Sequence, residues 1–330
     1  MACNSSGSLK DDIYFLYAIV YTVILIPGFI ANLLALWVFY AYVKETKRAV
    51  IFMINLAVAD LAQVLSLPLR IFYYLNKTWY FGKFLCIFCF YLKYVNMYAS
   101  IYFLVCISVR RCLYLIYPFR YNDCKRRYDV YVCIIGWIAV GLGCLPFPLM
   151  RLEQNQTNFS SCFADLPLKD VGTTTSIIMV TLAELTGFVV PLIVTGICSW
   201  KTIMSLRENT VLQDHGEKRK ALKMILTCTI VFLICFVPYH ISFPLAFLTK
   251  SGKIENCSAR KFIDIFHPVA LCLASLNCCL DPIIYYFTTD EFRRRLSRQD
   301  VTENMIPLQS LEYTQRSSIS SSGISNKLHS

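Results

Sequence analysis

Long, nearly unbroken apolar runs alternate with short polar segments along this chain, at about 13–42, 49–75, 84–116, 130–150, 171–200, 224–249 and 262–287. Each run meets or exceeds the roughly 20 residues a helix needs to cross about 30 Å of hydrocarbon. Prolines fall inside them, at Pro27, Pro68, Pro146, Pro148, Pro191, Pro238, Pro244, Pro268 and Pro282. In a soluble helix interior each would cost about 3 kcal/mol. In a membrane bundle, neighbouring helices and waters satisfy the freed carbonyls, so such prolines are tolerated. The pattern predicts an all-α integral membrane protein, a seven-transmembrane helix bundle. A bundle of soluble core helices would have to bury seven long apolar segments with too few polar faces to cover them.

The polar remainder sets the organisation. Residues 1–12 form a short N-terminal segment, too polar for a cleavable signal peptide, so the first apolar run serves as the targeting signal. Residues 13–288 make the seven-span domain. Residues 289–299 read as a short amphipathic eighth helix on the membrane surface, with Phe292 and Leu296 on one face. Residues 300–330 are polar and serine-rich and are expected to be a disordered tail.

Composition sharpens this picture. Hydrophobic residues make up 56% of the chain and charged residues only 16%, against about a quarter charged in a soluble domain. The net charge of +11 could point to nucleic acid, but its distribution points to a membrane. The segments 43–48, 117–128, 201–223 and 289–300 hold seventeen Lys or Arg, and the opposite set, 1–12, 76–83, 151–170 and 250–261, holds nine. The positive-inside rule then places the N-terminus outside and the tail inside. Five glycosylation sequons, at Asn4, Asn76, Asn155, Asn158 and Asn256, fall on the same outer side. Most of the sixteen cysteines lie inside apolar runs, where a thiol behaves as a small hydrophobe. Only Cys3, Cys86, Cys162 and Cys257 fall in segments facing an oxidising exterior, and no zinc-type spacing of cysteines or histidines is present.

Motifs inside the spans are more specific. Asn32 closes Gly28-Phe29-Ile30-Ala31-Asn32, and Asp60 closes Asn55-Leu56-Ala57-Val58-Ala59-Asp60. Trp79-Tyr80-Phe81-Gly82 precedes Cys86, Trp137 sits in the fourth run and Pro191 in the fifth. Phe232-Leu233-Ile234-Cys235-Phe236-Val237-Pro238 is followed by Asp281-Pro282-Ile283-Ile284-Tyr285. In this order and spacing, the sequence resembles the rhodopsin-like G protein-coupled receptors over essentially its whole ordered length. The variants Phe232 to His240 and Asp281 to Tyr285 resemble the purinoceptor-like branch. Stretches such as Leu65 to Ile71 and Phe90 to Ser100 are most similar to the lysophosphatidylserine receptors within it. There are departures from the family pattern. Arg110 replaces the acid that normally precedes the third-helix arginine, here Arg111, so the usual internal lock is absent and the inactive state must be held otherwise. Phe236 stands for the toggle tryptophan, Asp281 for an asparagine and Ser199 for the fifth-helix tyrosine. Ser275 takes the retinal-lysine position, which disfavours an opsin or retinal pump.

The resemblance implies a plasma-membrane receptor, not an enzyme, that couples to a heterotrimeric G protein. Arrestin and receptor kinases would act at the serine-rich tail. It implies a Cys86–Cys162 disulfide, with a second bridge between Cys3 and Cys257. It implies G-protein contact through Arg111 and Tyr285, and a switch formed by Phe232, Phe236 and Pro238. Asn32, Asp60, Ser100, Asn277 and Asp281 would hold a sodium ion; two buried carboxylates with polar neighbours either share a proton or hold a cation. No other cofactor is expected.

Ionisable residues inside spans are costly and point to function. Arg70, Lys93, Arg151 and Lys250 lie towards the outer ends of their spans and together would make a cationic mouth, with Tyr74, Tyr94, Phe147, Tyr239, His240 and Phe243 as aromatic walls. Arginine offers a fork for phosphate or carboxylate and lysine a point charge. Glu184 and Asp264 could pair with Lys93 or with a ligand ammonium. Similarity to the lysophosphatidylserine receptors implies that the cations take a phosphoserine head while the acyl chain enters an apolar groove between helices. A nucleotide receptor would use the same cations; a transporter would need an alternating pathway and often internal repeats, and none is found.

Overall fold

The computed structural model describes residues 7–43, 50–117, 126–146, 148–149, 162–163, 173–207 and 215–288. Seven helices in it are long and apolar enough to cross a membrane. They are α1 (Gly7–Val43), α2 (Val50–Asn76), α3 (Gly82–Ile116) and α4 (Arg126–Cys144). Next come α5, in the pieces Thr173–Glu184, Leu185–Val189 and Val190–Arg207, and α6 (His215–Lys250). Finally α7 consists of Cys257–Ser275 and Asn277–Thr288, divided by a turn at Leu276. No strand occurs among the described residues.

Helix ends differ from the apolar runs in ways the local chemistry explains. α1 begins at Gly7, because Ser8 to Asp12 continue the helix beyond the apolar run that starts at about 13. α6 likewise starts early, at His215, because Glu217-Lys218-Arg219-Lys220 are good helix formers with no need of hydrocarbon. α4 stops at Cys144 instead of reaching 150, where Leu145 bends ahead of Pro146. Asn256 starts α7, its Oδ1 accepting from the amides of Ser258 (3.0 Å) and Ala259 (3.2 Å). The π-turn Leu185–Val189 lies just before Pro191, which cannot donate to the turn behind it.

The outer surface is apolar, unlike that of a water-soluble protein, while the interior is mostly apolar with a polar layer inside it. Phe84, Leu65, Ile135, Leu142, Ile193 and Trp200 are all exposed on the outer faces, as lipid-facing side chains are. Among the apolar core residues, the interior also contains Asn32, Asp60, Ser100, Asn277 and Asp281, each at 0% exposure. Helices approach closely where side chains are small: a Cβ on Gly136 would lie 2.1 Å from the Tyr102 ring, and one on Gly187 would lie 2.5 Å from Tyr98. Through these contacts α3 is drawn against both α4 and α5, and Tyr102 donates across to the Val132 carbonyl at 2.9 Å.

Candidate functional site

At the end of the bundle where α3 begins, Cys86 and Cys162 are joined, with Cα atoms 5.6 Å apart. The bond fixes Phe163 over the helix ends, where its ring meets Tyr73 (5.4 Å), Trp79 (5.8 Å) and Tyr74 (6.0 Å). Cys257 is also disulfide-bonded; Cys3 lies outside the described residues.

Beneath Phe163 opens a cavity of about 350 Å³ between α1, α2, α3, α6 and α7. Its wall brings together four of the residues expected there, Tyr74, Lys93, Tyr94 and Lys250, carries Asp264, named above as a possible partner of Lys93, and adds Lys10 and His267. The Lys93 ammonium lies 5.6 Å from the centre of the Tyr94 ring. Lys10 is missed by the sequence reading because it precedes the apolar run; only the continuation of α1 carries it to the wall. His267 accepts from or donates to Ser242 at 3.0 Å.

Other expected residues lie elsewhere. Arg70 is not on the wall but behind it, 1% exposed. Its Nη2 donates to the Cys89 carbonyl at 2.7 Å and to Gln63 at 3.4 Å, and its guanidinium sits 5.6 Å from the Phe163 ring centre. The α2–α3 contact thus holds one guanidinium nitrogen of Arg70, while its Nε and Nη1 are buried with no hydrogen-bond partner among the described residues. Tyr239, His240 and Phe243 are also buried in the packing of α6 and do not line this cavity. Tyr239 stacks on Phe243 at 5.7 Å, and His240 pairs with Glu184 of α5 at 3.0 Å, so Glu184 is paired with His240 and does not line Lys93's cavity. Phe147, Arg151, Asn4, Asn155, Asn158, the eighth helix and the tail lie outside the described residues. Asn76 is exposed at the end of α2.

A second, mostly apolar groove of about 410 Å³ runs between α3, α4 and α5, lined by Tyr98, Tyr102, Ala139, Gly143, Gly187 and Pro191 among others. Tyr94, on the first cavity's wall, and Tyr98, on the groove's, stand one turn apart on α3.

Midway along the bundle lies the polar layer. Pro282 has no N–H, so the Cys278 carbonyl one turn back lacks its helical donor. Asn32 supplies one at 2.7 Å and also donates to Gly28 at 2.8 Å. Asn277 donates to Ser100 at 2.9 Å, and Asn96, missed by the sequence reading, donates to Asp60 at 3.2 Å. Asn96 lies one turn before Ser100 on the same face of α3, and that spacing is the signal that could have found it. The Asp60 and Asp281 carboxyls are neighbours, and Asp60 Oδ2 and both Asp281 oxygens accept no hydrogen bond from a described donor. No group of three or more His, Cys, Asp or Glu suited to a metal occurs among the described residues. Two carboxylates backed by neutral oxygens suit a single monovalent cation.

At the far end of α3, Arg111 lies near Cys228 of α6. Arg110 turns the other way, its Nη2 3.1 Å from Asp129 Oδ2 on α4. Ser199, at the place of the missing tyrosine, makes a 2.9 Å hydrogen bond with Thr229 of α6. Phe236, two residues before Pro238, is fully buried and meets Phe232 at 5.7 Å. Tyr285 belongs to α7, but its side chain is outside the described residues.

Residues 31–285 match the family described as 7 transmembrane receptor (rhodopsin family). The chain is 64% identical over 306 residues to the Mus musculus protein named "Probable G-protein coupled receptor 174", covering 92% of this chain and 91% of that protein. It is 50% identical over 307 residues to a Mus musculus protein provisionally named as a purinoceptor, with coverages of 90% and 94%. It is 37% identical over 306 residues to lysophosphatidic acid receptor 6 of Gallus gallus, with coverages of 92% and 98%.

Proposed function

Since the chain belongs to the rhodopsin family of seven-transmembrane receptors, we propose that its agonist is an anionic lysophospholipid, most specifically lysophosphatidylserine. The coarser statement needs no proposal: this is a multi-pass plasma-membrane receptor of the purinoceptor-like branch that couples to G proteins, and its relatives are receptors, not enzymes. In the proposed arrangement the end carrying the Cys86–Cys162 disulfide faces outward. Lys10, Lys93 and Lys250 take the phosphate and carboxylate of the head, and Asp264, on the same wall, suits its ammonium. The acyl chain passes Tyr94 and Tyr98 into the groove between α3, α4 and α5.

The observation that carries this reading is that apolar groove. A nucleotide needs the cationic cavity alone, whereas a single-chain lipid needs both a charged cavity and apolar surface within its reach. The relative named lysophosphatidic acid receptor 6 supports the lipid class. The relative named as a purinoceptor keeps the nucleotide as the rival.

Signal transfer belongs to the same proposal. A sodium ion held by Asp60 and Asp281, with Ser100, Asn277 and Asn32 around it, would supply a positive charge that stabilises the inactive packing of α2, α3 and α7. The switch residues Phe232, Phe236 and Pro238 belong to α6 itself, and Arg111 with Tyr285 would meet the G protein. An agonist shifts the two-state equilibrium only by its differential affinity for the two states. Arrestin and receptor kinases at the serine-rich tail complete the partners. The test is nucleotide exchange in membranes bearing the receptor, challenged with lysophosphatidylserine, lysophosphatidic acid and nucleoside diphosphates. A response to lysophospholipids alone supports the reading, and a response to nucleotides alone overturns it.

A further inference from the structure

The far end of α3 presents two successive arginines, and successive residues of a helix point about 100° apart. Arg111 lies near Cys228 of α6. Arg110 faces α4 and meets Asp129 at 3.1 Å, in a contact where the two side chains are only 13% and 5% exposed. Two positive charges side by side in a poorly hydrated place repel each other, and an unneutralised Arg110 would disfavour the placement of Arg111. The family pattern would put an acid at position 110; here the acid comes from a different helix.

We propose that the Arg110–Asp129 ion pair is a positioning clamp. It ties the end of α3 to the start of α4, neutralises Arg110, and so holds Arg111 directed towards α6 and the G-protein face. Asp129 thus has a different task from the family's acid: it pairs with Arg110 across two helices and does not lock Arg111. The proposal rests on reading Arg111 as the coupling residue. It is reinforced by neighbouring α3–α4 contacts of fixed register: Tyr102 donates to the Val132 carbonyl at 2.9 Å and Tyr91 to that of Gly141 at 2.9 Å. A turn of α3 about its axis would break all three together.

A simpler role exists for Asp129, which lies in the first turn of α4, where an acid favours the helix dipole. That role calls for neither burial nor a partner on α3, and it predicts different behaviour on charge exchange. An arginine at position 129 would be unfavourable for the dipole yet would restore the clamp if position 110 carried the acid.

The experiment uses the full-length receptor in membranes and reads agonist-free nucleotide exchange on heterotrimeric G protein, per receptor at the surface, so that it does not depend on the identity of the ligand. Thermal stability is measured in parallel. Asp129→Asn and Arg110→Gln should each lower exchange by roughly tenfold, and the exchanged pair Arg110→Asp with Asp129→Arg should recover most of that loss, as coupled partners do in a double-mutant cycle. The neutral double variant Arg110→Gln with Asp129→Asn leaves no charge buried alone and covers the case in which the single variants fail to reach the surface; its exchange should also fall. Unchanged exchange in the neutral double variant, or losses that the exchanged pair does not recover, would overturn the clamp. Arg111→Ala serves as the separate control: normal exchange there would instead sink the reading of Arg111 on which the clamp rests.

Discussion

Replacing Lys93 by Met removes a charge from the cavity wall while keeping an unbranched apolar stem of similar length. Lys93 and Lys250 share that wall with Tyr94 and Asp264. A lysine and an anionic head at about 4 Å interact by about 4 kcal/mol at the effective dielectric typical near a protein surface. The hydration both groups lose on contact offsets part of this, and charge-assisted contacts in partly dry sites are worth about 1.5–3 kcal/mol net. Lys93→Met should therefore raise the lysophosphatidylserine concentration for half-maximal exchange by about tenfold to a hundredfold, with surface expression and basal exchange unchanged. Arg70→Met is the contrasting perturbation. Arg70 lies behind the wall, bonded to the Cys89 carbonyl at 2.7 Å, so its loss removes a charge-assisted hydrogen bond from the α2–α3 contact and should cost about 1.5–3 kcal/mol of stability. Its effect on potency should act only through the seating of Phe163 and be the smaller of the two. Potency untouched by Lys93→Met at matched expression, with Arg70→Met the more damaging to ligand response, would refute this division of roles.

Further outcomes follow from the rest of the bundle. Arg111→Ala should abolish or greatly reduce nucleotide exchange while most direct ligand binding survives. Some loss of agonist affinity accompanies it because coupling is reciprocal, and Arg110→Ala should be less damaging. A Cβ on Gly143 meets no atom within 4 Å, so Gly143→Leu should occupy the groove without straining the fold. It should weaken long-chain lysophosphatidylserine about tenfold, from a loss of about 1.4 kcal/mol, and short-chain analogues much less, as dose–response curves for both would show. Replacing choline chloride by sodium chloride should lower agonist affinity in radioligand competition, and Asp60→Asn or Asp281→Asn should remove that salt effect.

Much of the fold is legible in the sequence because a bilayer demands long apolar runs, and length alone reveals them. The polar layer is legible for a related reason: Asn32, Asp60, Ser100, Asn277 and Asp281 each stand out against apolar neighbours, and each is fully buried. What could not be read is which way a helix faces when it is apolar all round. α6 carries Tyr239, His240 and Phe243 in such a stretch, and whether they face the cavity or the core depends on packing against α5 and α7. The same holds for Arg70, whose depth is set by the α2–α3 contact and by Phe163, a residue brought in from a distant loop by a disulfide. The Arg110–Asp129 and His240–Glu184 pairs join residues 19 and 56 positions apart, and no local pattern announces either one.

In the proposed function, the cationic cavity and the apolar groove together select a lysophospholipid. The most direct test is nucleotide exchange by the wild-type receptor across lysophosphatidylserine, its head group glycerophosphoserine without an acyl chain, and nucleoside diphosphates, all in one membrane preparation. The expected result is exchange with lysophosphatidylserine, little or none with the bare head group, and none with nucleotides. Equal activation by the bare head group, or activation by nucleotides with no response to the lipid, would contradict it.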